Sequence, residues 1–352
     1  MNEKYTLIEK RTIDELHGEV SLLKHNRTGA EILLIDNHNH NKTFSIGFKT
    51  PPEDSTGVAH IVEHSTLSGS RKYKTKEPFM DMVASSVQTF LNAMTYPDKT
   101  LYPISSRNEK DFCQLMDVYL DAVFYPAMKE NPKIFYQEGW HPEIQGDRLV
   151  ANGVVFNEMK GVYSDPNNRI SDMIREKLHP TGTYSHDSGG NPKNIPELTY
   201  DAFLDFHSRY YHPSNSYILL AGDLDFDERL DYLDREYLSR FDSEDPDSAI
   251  QGHAFYDEAG ISSHLRFKRG GRSRGEKLLR LRPHRQGGSH AGGSLAAQFL
   301  PRTVDRIGKR PFEKAPAGGG HRRRRVFGTF RHKHLGLCRG GLPRRGKSLR
   351  GI

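Results

Sequence analysis

The chain has 352 residues, enough for one large domain or two ordinary ones, and its formal net charge of +6 hides two unlike parts. Residues 261–352 carry 25 Lys and Arg against only Glu276, Asp305 and Glu313, whereas residues 1–260 carry 26 basic and 42 acidic side chains. The only cysteines, Cys113 and Cys338, fall one in each part, which argues against a disulfide framework and excludes a cysteine-based zinc site. No run approaches the ~18–20 apolar residues of a membrane span. The opening MNEKYTLIEKRTIDELHGEV also lacks the apolar centre of a signal peptide, so no membrane association and a reduced, cytoplasmic location are expected.

In chain order, AEILLID and KTFSIGFKT are short apolar runs separated by the turn-rich NHNHN, and residues 30–50 read as a β-hairpin. Residues 57–67 read as a helix, with Val58, Ala59, Ile61, Val62 and Leu67 apolar and Ser68-Gly69 as a stop. SSVQTFLNAMT, 85–95, reads as a strand, PDKT as a turn and TLYPISS as a second strand. In NEKDFCQLMDVYLDAVFYP one stripe joins Phe112, Leu115, Met116, Tyr119, Leu120 and Val123 at helical spacing, and Pro126 ends it. Further helices are expected near 153–163 and 198–210, a buried-type strand at 216–224, and an acidic amphipathic helix in FDERLDYLDREYLSRF. Strands and helices mix without regular alternation, which predicts an α+β domain with a largely antiparallel sheet carrying helices.

The helix at 57–67 contains His60, Glu63 and His64, spaced His-x-x-Glu-His. Imidazoles at i and i+4 share a face and can chelate one ion. Glu63 lies beside that face, placed to act on a metal-activated water. The spacing reverses His-Glu-x-x-His and is the inverted zincin pattern. By itself it is compatible with a zinc site or with three polar residues on one helix.

The neighbours decide between these. GVAHIVEHSTLSGSRKY, FLNAMTYPDKTLYPISS, FYQEGWH, NGVVFNEMKGVYSDP and FHSRYYHPSNSYILLAGD follow in order, and together they resemble the insulinase/pitrilysin family of inverted-zincin metallopeptidases, most closely its presequence-protease branch. The resemblance covers most of residues 15–245. It implies zinc as cofactor, His60, His64 and Glu158 as ligands, and Glu63 as general base. It implies hydrolysis of unfolded peptides by a metal-activated water, and it makes Asn92 and Ala93 candidate substrate contacts on an edge strand that receives the peptide backbone. Glu138 in EGWH is a candidate outer carboxylate behind one histidine, or a structural hydrogen-bonding group near Trp140.

The expected domains are a metallopeptidase N-terminal catalytic domain over 1–250 and a basic, low-periodicity tail over 251–352. Relatives of this branch carry a second half that closes a chamber and adds an Arg/Tyr pair, so this chain is expected to be a truncated form with weak or no activity alone. Residues 261–352 have no Tyr, Trp or Asn and hold 17 of the 32 Gly. A shift of reading frame around 245–270 explains that composition. The alternatives are a basic extension that binds nucleic acid through HRRRR at 321–325, which is not expected because no aromatics interleave, and a solvated tail without a role. A non-catalytic binding subunit is the remaining alternative for the first part.

Overall fold

The computed structural model describes residues 3–75, 78–251, 261–269 and 273–281, the last two as backbone only. The strands are β1 (Tyr5–Ile13), β2 (Gly18–His25), β3 (Glu31–Asp36), β4 (Lys42–Lys49), β5 (Gln88–Leu91), β6 (Met94–Thr95), β7 (Lys99–Ser106), β8 (His141–Gln145), β9 (Arg148–Asn152), β10 (Ser216–Ala221), β11 (Ile261–Arg269) and β12 (Ser273–Leu281). The helices are α1 (Val58–Thr66), α2 (Pro78–Ser85), α3 (Glu109–Phe124), α4 (Pro132–Glu138), α5 (Val154–Val162), α6 (Pro166–Leu178), α7 (Tyr200–Tyr210) and α8 (Phe226–Glu236). The architecture is α+β: one sheet in the order β1-β2-β3-β10-β4-β7-β5, with β6 also on β7. Only the β3–β10 pair in it is parallel.

One expectation is corrected here. β3 and β4 do not form a hairpin, because β10 lies between them. Ile218 stands opposite Ile32 on one side and Ile46 on the other, and none of the three is more than 1% exposed. An apolar strand with a dry neighbour on each side removes more apolar surface from water than a two-strand hairpin could. The polar NHNHN segment caps the insertion: the Asp223 N–H donates to the Asn39 carbonyl at 2.9 Å and Gly222 to Ile35 at 3.0 Å.

The edge differs too. The segment read as one strand over 85–95 is the end of α2, then β5, a break at Asn92-Ala93, then β6. The α3 stripe behaves as its period predicts: Phe112, Leu115, Met116, Tyr119, Leu120 and Val123 are all buried, and α3 packs on β4 and β7. Its start is capped by the Asn108 side chain, which accepts from the Asp111 N–H. The loop after α1 is tied to α3 through two carboxylates. Asp121, fully buried, accepts from Arg71 at 2.8 Å and the Lys72 N–H at 2.7 Å. Asp117 accepts from Lys72 at 2.7 Å, the Tyr73 phenol at 2.7 Å, the Tyr232 phenol at 2.5 Å and the Tyr237 phenol. Burial favours the neutral Asp117 carboxyl, but these donors outweigh it and hold its pKa below the usual range.

β8 and β9 form a hairpin. β11 and β12 form another, inside the segment the sequence assigns to the tail. Residues 282–352, with the basic run at 321–325, lie outside the described residues. Among the described residues no helix is long and apolar enough to cross a membrane.

The central position of β10 is testable. Ile218→Ala should cost about 2–5 kcal/mol in urea unfolding, and Tyr217→Ala, on the 42% exposed neighbour, at most about 1 kcal/mol. Equal costs would place β10 at an edge instead.

Candidate metal centre

α1 begins at Gly57, whose φ of 72° suits glycine, and no side chain caps it. A Cβ here would lie 2.7 Å from the Cα of Gly190, so backbone meets backbone. That contact holds the 187–190 loop against the first turn of α1, where the His60 Nδ1 donates to the Gly189 carbonyl at 3.0 Å. A carbonyl can only accept, so the proton is fixed on Nδ1 and the Nε2 lone pair is left free.

α5 begins at a second uncapped glycine, Gly153. A Cβ there would lie 2.2 Å from the carbonyl oxygen of Gly139, the residue that ends α4. This brings Glu138 on α4 and Glu158 on α5 toward α1, which packs on both helices. Glu158 Oε2 stands 3.7 Å from His60 Nε2 and 3.8 Å from His64 Nε2. The three residues can offer ligand atoms all within 4.8 Å of one another. The two imidazoles meet edge to face, centroids 4.8 Å apart.

The donor set is two neutral-capable nitrogens and one carboxylate, with Glu158 reaching out to solvent. That fits zinc in a three-ligand site with an open position. Tetrahedral zinc with bonds of about 2.0–2.1 Å has ligand-to-ligand edges of about 3.3 Å. The carboxylate-to-imidazole spacings of 3.7 and 3.8 Å lie close to that, and the widest spacing in the cluster, up to 4.8 Å, would have to draw in on binding an ion.

Behind His64, Nδ1 faces Glu138 Oε2 at 3.6 Å, and Gln137 holds the other Glu138 oxygen at 2.9 Å. Trp140 turns elsewhere and donates to the Leu198 carbonyl. Without an ion, burial disfavours the charged His64 ring, but Glu138, Glu63 and Glu158 outweigh it and hold its pKa above the ordinary 6.5. Glu63 is buried beside His64. Its Oε2 accepts from the Thr95 hydroxyl at 2.6 Å, which leaves Oε1 for another partner. Thr95 is on β6, so this bond joins the sheet edge to the centre.

Asn92 and Ala93 sit at the break in that edge. The Asn92 N–H donates to Pro103 at 3.2 Å and its carbonyl accepts from Tyr119 at 3.0 Å. The Ala93 N–H donates to the Asn92 side chain at 3.0 Å, so the backbone N–H groups of both residues are already engaged.

Sequence reasoning missed Thr95, Gly189 and Asp187. The Asp187 Oδ1 accepts from Gly189 at 3.0 Å. No motif signals these residues: Gly189 acts through a carbonyl 129 positions from His60, with Asp187 behind it, and Thr95 through a side-chain bond 32 positions from Glu63. Asp172 on α6 lies near Asp187. Burial and the Asp187 charge push its carboxyl from 3.8 up to about 6, only partly offset by Arg175.

The family model for Insulinase (Peptidase family M16) matches residues 43–133, and the Peptidase M16 inactive domain matches residues 197–269. Over 249 residues the chain is 51% identical to "Protein HypA" of Clostridium perfringens, covering 70% of this chain and 26% of that protein. Over 238 residues it is 50% identical to "Presequence protease 1, chloroplastic/mitochondrial" of Arabidopsis thaliana, covering 67% and 22%. It superposes on the crystal structure of pitrilysin with a TM-score of 0.58 at 18% identity, covering 74% of this chain and 27% of that one. The fold and these matches define an insulinase-type peptidase domain. The chain belongs to the insulinase family, peptidase family M16, and its N-terminal region is presequence-protease-like. It spans about a quarter of the length of the curated relatives it matches.

Asp172 yields a pH prediction. Its folded pKa is raised, so its stabilising contribution is full below about 4 and is lost as pH rises through about 6. Asp172→Asn should therefore be more stable than the parent chain at pH 7, by about 1–3 kcal/mol, with the gap closing near pH 4. Urea unfolding at both pH values checks this; a gap independent of pH would contradict it.

Proposed function

We propose that this region is the zinc-binding catalytic part of a metalloendopeptidase acting on unstructured peptides. The observation that carries the reading is the convergence of His60 Nε2, His64 Nε2 and Glu158 Oε2 beside the buried carboxylate of Glu63. Zinc held there would supply Lewis acidity, polarising a peptide carbonyl and lowering the pKa of water.

The chain's own residues supply the rest. His60 and His64 would hold the ion through Nε2, with Gly189 and Glu138 fixing the ring orientations from behind. Glu63 would act as general base and then as acid, taking a proton from water at Oε1 and returning it to the leaving amine. The Thr95 hydroxyl bond to Oε2 restrains the Glu63 rotamer, so proton transfer does not wait on a side-chain search. The edge at β5 and β6 offers an extended peptide a place to lie, with Phe90 and Tyr96 exposed along it. Because Asn92 and Ala93 use their N–H groups internally, a peptide pairing at these two positions would donate to their carbonyls rather than accept from their N–H groups.

The matched region makes up only 26% and 22% of these relatives, and in this reading their additional length completes the site. The 352-residue chain by itself is therefore expected to cleave weakly.

Metal analysis should find about one zinc per chain, lost in His60→Ala. Any slow, zinc-dependent cleavage of a quenched unstructured peptide should fall at least ~100-fold in Glu63→Gln while zinc is retained. Cleavage at about 1–10³ per second by this chain alone would overturn the dependence on further segments. Undiminished cleavage by Glu63→Gln would overturn the role of Glu63.

A further inference from the structure

The loop that fixes His60 does not hold itself in place. Asp187 lies at its centre and makes four connections. Its Oδ1 accepts from the Gly189 N–H at 3.0 Å, and its Oδ2 accepts from the Tyr163 phenol at 2.5 Å. Its own N–H donates to Ser55 Oγ at 3.1 Å, and its carbonyl accepts from the Gly190 N–H at 3.0 Å. Tyr163 is the C-terminal cap of α5, five residues after Glu158. Ser55 lies two residues before the start of α1 at Gly57, and its carbonyl also accepts from Asn191 at 2.8 Å. The Asp187 carboxylate thus joins the end of the helix that carries Glu158 to the loop whose carbonyl takes the His60 proton, and the backbone N–H of the same residue ties that loop to the entry of the helix that carries both histidines.

The geometry points to Asp187 as a positioning residue of the metal centre, an inference that rests on the zinc reading above. With its two oxygens occupied, the carboxylate sets the distance between α5 and the 187–190 loop. The Gly189 carbonyl is thereby aimed at His60 Nδ1, and the free lone pair of Nε2 at Glu158. Removing the carboxylate leaves the Gly189 N–H and the Tyr163 hydroxyl without their acceptor. The loop can then drift, the His60 proton is no longer confined to Nδ1, and α5 loses its tie to the 187–190 loop. Partners of this kind behind a metal ligand typically change affinity by about 10–100-fold. Asn at this position keeps one acceptor oxygen for two donors, so it should fall between Asp and Ala. Tyr163→Phe removes only the α5 arm and should shift affinity in the same direction by less.

The test is zinc affinity of the full 352-residue chain, measured by competition with a chromophoric chelator, alongside the visible d–d spectrum of the Co²⁺-loaded chain and its thermal midpoint without metal. Tyr73→Phe serves as the control, since it loosens the Asp117 cluster away from the centre. Asp187→Ala should weaken zinc binding by about 10–100-fold and change the Co²⁺ spectrum, with Asp187→Asn intermediate. Tyr73→Phe should lower the thermal midpoint while leaving affinity and spectrum unchanged. If Asp187→Ala does not fold, Asp187→Asn decides alone. Parental affinity and spectrum in the Asp187 variants overturn the inference, as does an affinity loss in Tyr73→Phe that tracks the midpoint equally. If the parent chain binds no more zinc than His60→Ala, the zinc reading itself fails.

Discussion

Glu158 Oε2 lies within 3.8 Å of both His60 Nε2 and His64 Nε2, although α5 and α1 are separated by some ninety residues of chain. Two imidazoles on one helix meet at little cost, since i and i+4 spacing does the work. The carboxylate must be brought in from elsewhere, and a charged group against two partly buried rings is stable only when paired or on a metal. The rest of the domain bears on that approach. Gly153 lets α5 start against the end of α4, and Gly57 lets α1 start against the 187–190 loop. These two site helices begin on a glycine without a side-chain cap, whereas α3, α4, α6, α7 and α8 each use an Asn, Asp or Thr cap. Close backbone approach takes the place of the cap's contribution at these two positions.

The sheet supplies the second constraint. β10 enters between β3 and β4, and the three isoleucines across that layer are dry. This locks the central strands and leaves β5 and β6 at an edge, where Thr95 reaches Glu63. Edge and centre are therefore mechanically linked: a peptide lying on the edge would meet the same strand that orients the proposed base.

Local periodicity was a good guide wherever a single element decides the outcome. The α3 stripe, the helices around His60 and Glu158, and the strand SYILLA can be read from the chain directly. The pairing of strands cannot, because it depends on partners far apart in sequence. The turn-rich NHNHN looks like a hairpin loop, and nothing local reveals that a strand from near residue 216 will displace that pairing. The break at Asn92-Ala93 was hidden for a related reason, since β-branched and aromatic residues suit strands on either side of it. Spacing alone offered His60 and His64 as a chelating pair without deciding between a metal site and three polar residues on one helix. Glu158 needed the resemblance, because the chain has many carboxylates and no local rule ranks them. Gly189 and Asp187 were not legible at all: a carbonyl carries no residue signature, and an Asp between Ser-His and Ser-Gly-Gly reads as a turn.

Zinc K-edge X-ray absorption on the metal-loaded chain tests the central claim most directly. The account predicts two imidazole nitrogens and one carboxylate oxygen at about 2.0–2.1 Å, with a further light scatterer in the open position. In Glu158→Ala one oxygen should be lost while both imidazole signals persist. A single imidazole, or a shell of about six oxygens, would contradict it.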